Sequence, residues 1–149
     1  MNRQRILPPI WFLLSIISMI GLHFWLPIKQ LLFPPLSYLG MIAIALGIVM
    51  ILFSAYLFRQ KNTTIKPFEE SSCLVREGLF NYSRNPIYLA MIIALIGVWI
   101  VLGSLTPVLI IPIFTVLIQE MFVKEEEKIL EGKFGEKYQA YKASVRRWV

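Results

Sequence analysis

The chain has 149 residues, 57% of them hydrophobic and 16% charged, with a mean hydropathy of +0.66. That composition excludes an ordinary soluble domain and points to a single domain embedded in a membrane. The net charge of +6 rests on cations that flank apolar runs, which suits anionic lipid headgroups rather than nucleic acid, and one cysteine (Cys73) with one histidine (His23) argues against a metal site and excludes an intrachain disulfide.

Arg3 and Arg5 precede Pro8-Pro9, after which residues 10–26 form the first expected transmembrane helix. Pro27-Ile28-Lys29 follows it and offers no signal-peptide cleavage pattern. Residues 31–35 turn at Pro34-Pro35. Residues 36–58 form a second span, able to cross a core of about 30 Å with some tilt. The connection 59–85 is the longest polar stretch; Thr63, Thr64 and Pro67 predict irregular backbone at its start, and Gly78 permits a turn before Leu79-Phe80. Residues 86–102 are a short third span. Gly103-Ser104 makes a tight turn into a fourth span over 105–123, so these two form a helical hairpin, with Pro107 and Pro112 expected to kink the second arm.

Cations at Arg3, Arg5, Arg59, Lys61, Lys66 and in the tail fall on one side of this four-span arrangement, and only Lys29 falls on the other. The positive-inside rule therefore predicts cytoplasmic termini and a cytoplasmic long connection. The tail, 124–149, is expected to continue the fourth helix through Ile129, Leu130 and Phe134, to bend at Gly135, and to form a basic amphipathic helix through Tyr138, Tyr141, Val145 and Trp148. The expected fold is thus all-α: a polytopic membrane protein with four spans and a C-terminal amphipathic cytoplasmic helix.

Chemistry concentrates in two places. Tyr82-Ser83-Arg84-Asn85-Pro86-Ile87-Tyr88 sits where the polar connection meets the third span. Pro86 suits a first helical turn, Asn85 an N-cap, and Arg84 a bidentate carboxylate clamp; equally, Arg and Tyr at a helix end serve as an interfacial anchor. All nine acidic residues are glutamates after Phe68, and Glu125-Glu126-Glu127 is the densest group. Successive helical residues step by about 100°, so these three cannot share one face. Glu126, three residues before Ile129 and four before Leu130, is the best inward candidate, with Arg84 or a ligand cation as its partner. The plainer alternative is a solvated face with Glu120–Lys124 and Glu125–Lys128 pairs.

Leu74-Val75-Arg76-Glu77-Gly78-Leu79-Phe80 and Ser83-Arg84-Asn85-Pro86-Ile87-Tyr88-Leu89 resemble the Arg-His/Asn-Pro-x-Tyr signature of the isoprenylcysteine carboxyl methyltransferase family and of related phospholipid methyltransferases. Glu126-Glu127-x-x-Leu130, Phe134-Gly135, Tyr138, Tyr141 and Val145-Arg146-Arg147 resemble that family's C-terminal Glu-Glu signature. The resemblance covers roughly residues 60–149; Asn85 stands for the common His, and Ala90 for a frequent Gly.

The resemblance implies an enzyme using S-adenosyl-L-methionine. Gly78, Tyr82, Asn85, Pro86, Tyr88, Leu89, Glu126, Glu127 and Tyr138 would hold the cofactor, with Arg84 and Arg147 near the reacting groups. It implies a membrane lipid or lipidated small molecule as acceptor, no metal, and residence in a bacterial or archaeal inner membrane. A carboxylate acceptor needs no base, whereas a phosphoethanolamine amine does, and His23 lies at the opposite membrane face; carboxylate O-methylation is the expectation. Phospholipid N-methylation, an NADPH-dependent reductase of the sterol-reductase type and a non-enzymatic helical scaffold are the alternatives. The first two spans carry no signature.

Overall fold

The computed structural model describes residues 7–63 and 73–149. Arg3, Arg5 and Lys66, which carry part of the orientation argument, and Thr64 and Pro67 of the connection lie outside them. Among the described residues the secondary structure is helical, apart from one isolated bridge between Gln30 and Ser104. The helices are α1 (Pro8–Trp25), α2 (Leu39–Gln60), α3 (Pro86–Leu102), α4 (Ile110–Ile118), α5 (Lys124–Phe134) and α6 (Glu136–Ser144).

The boundaries follow local chemistry. α1 begins at Pro8 rather than after the proline pair, because Pro8 and Pro9 occupy the opening turn, where a missing N–H costs no helical hydrogen bond. Pro107 likewise opens a 3₁₀ turn, Thr106–Leu109, and Pro112 falls in the first turn of α4, so neither kinks the interior of a span. The irregularity lies further on: Gln119–Val123 is a π turn that joins α4 to α5. Helix therefore runs almost unbroken from Thr106 to Phe134.

Among the described residues, three helical stretches are long and apolar enough to cross a membrane: Pro8–Trp25, Leu36–Gln60 and Thr106–Phe134. The expected third span, Pro86–Leu102, is apolar but only 17 residues long. Large apolar side chains such as Ile17, Phe24 and Leu52 are exposed around the bundle, as they must be in a protein whose solvent is lipid.

α2 and α3 make the most extensive contact. Their backbones approach so closely that side chains have no room: a Cβ on Gly47 would lie 2.7 Å from Ala90 O, and one on Gly97 2.6 Å from Gly40 O. Such small-residue contacts are how apolar helices associate where lipid removes the hydrophobic drive. The hairpin partner of α3 is α4, yet its larger partner is α2. α1 closes the other side against α3, α4 and the Thr106–Leu109 turn. Met19, Tyr88, Met91, Leu95, Phe114, Ile118, Phe122 and Val123 form the buried core between them.

One end of the bundle is fixed by its loops. Leu31 and Leu32 N–H both donate to Gly103 O, at 2.7 and 3.0 Å, and Leu105 N–H donates to Lys29 O at 2.9 Å. His23 Nδ1 and Ser104 Oγ are hydrogen-bonded at 2.8 Å at the same end. Gly103 makes this turn with φ +70°, and a Cβ there would press on Leu32 O. Gly103→Ala is therefore expected to destabilise the protein by about 1–3 kcal/mol, read as a lower Tm in detergent micelles.

Candidate functional site

The site candidates gather at the other end of α3, which is about 25 Å from the Gly103 turn at helical rise. Residues 83–85 enter α3 and Pro86 is its first residue. Asn85 holds the N-cap position but makes no side-chain cap. Its Nδ2 instead donates to Arg147 O at 3.1 Å. Ser83 Oγ accepts from Asn85 N–H at 3.1 Å and donates to Arg147 O at 3.2 Å. Arg84 N–H donates to Arg146 O at 3.0 Å. The expected N-cap is thus replaced by a stitch between the α3 entrance and the last residues of the chain.

Arg84 is not a free anion clamp. Its guanidinium donates through Nη1 to Lys142 O and Val145 O at 2.9 and 3.0 Å, and through Nη2 to Glu127 Oε1 at 3.0 Å. Arg147 completes the group, donating from Nε to Glu127 Oε1 at 3.0 Å and from Nη2 to Oε2 at 2.7 Å. One buried carboxylate is therefore held by two guanidiniums, one of them in the fork geometry that favours Arg over Lys. The side chains of Arg84 and Glu127 are each only 8% exposed, against 32% for Arg147. The hydrogen bond and charge of Glu127 push the Arg147 guanidinium above its already high value.

Glu126 faces Tyr88, whose hydroxyl donates to Glu126 Oε1 at 2.6 Å. Arg84 was expected to meet Glu126; it meets Glu127. The reason is directional. α3 begins at this end and α5 runs back toward it, so Tyr88, one turn deeper than Arg84, takes the earlier glutamate. The two adjacent glutamates, about 100° apart on α5, both find partners at the α3 entrance and in the tail: Glu126 takes Tyr88, and Glu127 takes Arg84 with Arg147. Glu125 turns outward to Lys128 at 3.3 Å, and Glu120 pairs with Lys124 at 2.6 Å, so the solvated-face reading holds for these two but not for Glu126 and Glu127.

Tyr138 is buried and stacked edge-on against Tyr141 at 6.2 Å; burial first, and then the Glu127 charge, raises its phenol. Burial pushes Tyr141 up to about 12, so it stays a donor, and its hydroxyl donates to Phe80 O at 2.6 Å. Leu89 contributes the first helical hydrogen bond of α3, to Asn85 O. Gly78 and Tyr82 stand apart from the cluster. Gly78 lies against Phe53 and Leu57 of α2, and Tyr82 is 75% exposed.

The tail also departs from expectation. α6 ends at Ser144, and Val145, the residue after it, is extended. Trp148 therefore does not continue a helical stripe; its Nε1 donates to Gln119 Oε1 at 3.1 Å. Sequence reasoning missed Gln119. A lone Gln at the end of an apolar run gives no signal, and its position depends on a π turn that hydropathy cannot reveal.

Together these features define an integral membrane protein with a helical bundle and a polar, charge-paired site at one end. The family model described as phospholipid methyltransferase matches residues 36–137, and the chain belongs to that family of membrane methyltransferases. An uncharacterised protein of Haemophilus influenzae is 36% identical over 63 residues, which is 42% of this chain and all of that one. The solved structure of a eukaryotic intramembrane Ras methyltransferase, isoprenylcysteine carboxyl methyltransferase, superposes with a TM-score of 0.69 at 22% identity. That match covers 92% of this chain and 50% of the other, so this chain spans half the length of the larger enzyme.

Proposed function

We propose that the protein transfers a methyl group from S-adenosylmethionine to a lipidic acceptor, and that the acceptor atom is a carboxylate oxygen. The observation that carries this reading is the meeting of the α3 entrance with Glu126 and Glu127 of α5. The residues fit such a cofactor. The Glu126 carboxylate, anchored on one oxygen by Tyr88, suits an ammonium or a hydroxyl pair. Arg84 Nε is buried with no hydrogen-bond partner and is an unused donor for an anionic group. When bound, S-adenosylmethionine supplies an electrophilic methyl on a sulfonium; the protein supplies orientation and electrostatics.

In this reading Tyr88 fixes the rotamer of Glu126, and Glu127 locks Arg84 and Arg147 beside it. A carboxylate acceptor would arrive ionised, so no residue would have to remove a proton; bound S-adenosylmethionine would supply the methyl and leave as its neutral thioether, S-adenosylhomocysteine. His23 supports this assignment, since it is engaged by Ser104 at the far end of the bundle. Gly78, Tyr82, Leu89 and Tyr138 remain in the proposed cofactor set, Gly78 and Tyr82 as its outer margin. By the positive-inside expectation the site faces the cytoplasm, and the acceptor enters laterally between helices.

A second reading, N-methylation of a phospholipid amine, is favoured by Glu126, a carboxylate placed to accept the proton that an ammonium must lose. One assay separates the two. Purified protein is incubated with radiolabelled S-adenosylmethionine and either a farnesylcysteine derivative or phosphatidylethanolamine vesicles. A methyl ester releases labelled methanol in alkali, whereas an N-methyl group does not. Label in neither product sinks the proposal. S-adenosylhomocysteine should bind in calorimetry and NADPH should not. Tyr88→Phe should weaken S-adenosylhomocysteine binding about tenfold, the loss of roughly 1.4 kcal/mol that one hydrogen bond to a charged group accounts for.

A further inference from the structure

Residues 145–148 are bound closely to the site. Their backbone carbonyls accept from three successive residues of the α3 entrance: Val145 O and Arg146 O from Arg84, and Arg147 O from Ser83 and Asn85. Arg147 itself forks onto Glu127. Beyond it, one side-chain bond ends the run: Trp148 Nε1 to Gln119 Oε1, at 3.1 Å. Gln119 opens the π turn, and Trp148 also packs against the buried core around Tyr88 and Phe122. Among the described residues this bond is the tie furthest along the chain.

We propose that Trp148 and Gln119 are positioning residues: their bond pins the irregular segment 145–148 as a wall of the site and so holds the Arg147 guanidinium on Glu127. Neither touches the reacting groups; both act through Arg147. The inference deepens the methyl-transfer reading, but its central test needs no ligand. The Arg147 Nε–H, donated to a carboxylate, should give a resolved, slowly exchanging signal in ¹⁵N spectra of the micelle-bound protein, assigned by its absence in Arg147→Lys.

In Trp148→Phe, which keeps an aromatic ring but no donor, that signal should broaden or exchange at least tenfold faster. Limited proteolysis within residues 145–149 should also run about tenfold faster. Gln119→Leu should reproduce both changes, and the double variant should be no worse than either single one. Arg84 still holds Glu127, so the Tm should change by only a few degrees. An unchanged Arg147 signal, or effects that add in the double variant, overturns the assignment. Weaker S-adenosylhomocysteine binding in both variants extends the wall to cofactor binding. Failure of the unaltered protein to bind S-adenosylhomocysteine counts against methyl transfer and leaves the Arg147 result to decide the positioning role.

Discussion

Glu127→Ala is expected to lower stability by about 3–5 kcal/mol, because it leaves the guanidinium of Arg84 buried without its counter-charge. Arg147 is less affected, being a third exposed and able to turn to water. The loss should appear as a large fall in Tm in detergent, together with loss of methyl transfer. Glu125→Ala is the matched control. It removes a carboxylate from the same helical turn, but one that faces Lys128 at the surface, and it should cost less than about 0.5 kcal/mol. Equal effects from the two substitutions would contradict the buried Arg84–Glu127 pair. Replacing Arg84 and Glu127 together by apolar residues should restore part of the stability but none of the activity, since the pair stabilises the fold less than either unpaired charge destabilises it.

The second large effect is expected far from any charge. Gly47→Val should destabilise by roughly 1–3 kcal/mol or more, because the new Cβ would lie 2.7 Å from Ala90 O and 2.9 Å from Ala94 Cβ. Neither backbone can yield without separating α2 from α3. Replacing a helical Gly normally gains up to about 1 kcal/mol of propensity, so a net loss identifies the contact as the cause. Ala90 is two residues beyond Tyr88, so the shift should also move Tyr88 from Glu126. Weaker S-adenosylhomocysteine binding would then accompany the lower Tm. A variant as stable as the unaltered protein would show that the two helices are not held at this separation.

Much of this architecture was legible from residue patterning. The apolar runs, the Gly103 turn and the two polar signatures could be located because hydropathy and turn chemistry act locally. Their convergence could be proposed because both signatures lie at polar ends of apolar runs. What was not legible depends on direction and on long-range contact. Glu126 and Glu127 differ by one residue, and only the antiparallel course of α3 and α5 decides that Tyr88 takes the first and Arg84 the second. Asn85 has the side chain of a cap, yet the backbone carbonyl of Arg147 competes successfully for its amide. Val145 and Trp148 continue a helical repeat on paper, but the segment gains four hydrogen bonds to residues 83–85 by leaving the helix.

The π turn at Gln119–Val123 has a consequence for the phase of everything after it. Widening one turn inserts the equivalent of a single residue, and a regular α-helix through the same stretch would rotate α5 by about 100° relative to α4. At that angle Glu127 would swing out of line with Arg84 and Arg147, and Glu126 would lose Tyr88. The apolar stripe that faces the membrane core and the pair of carboxylates that faces the α3 entrance thus obey two different clocks on one continuous rod, and five residues reset the second against the first.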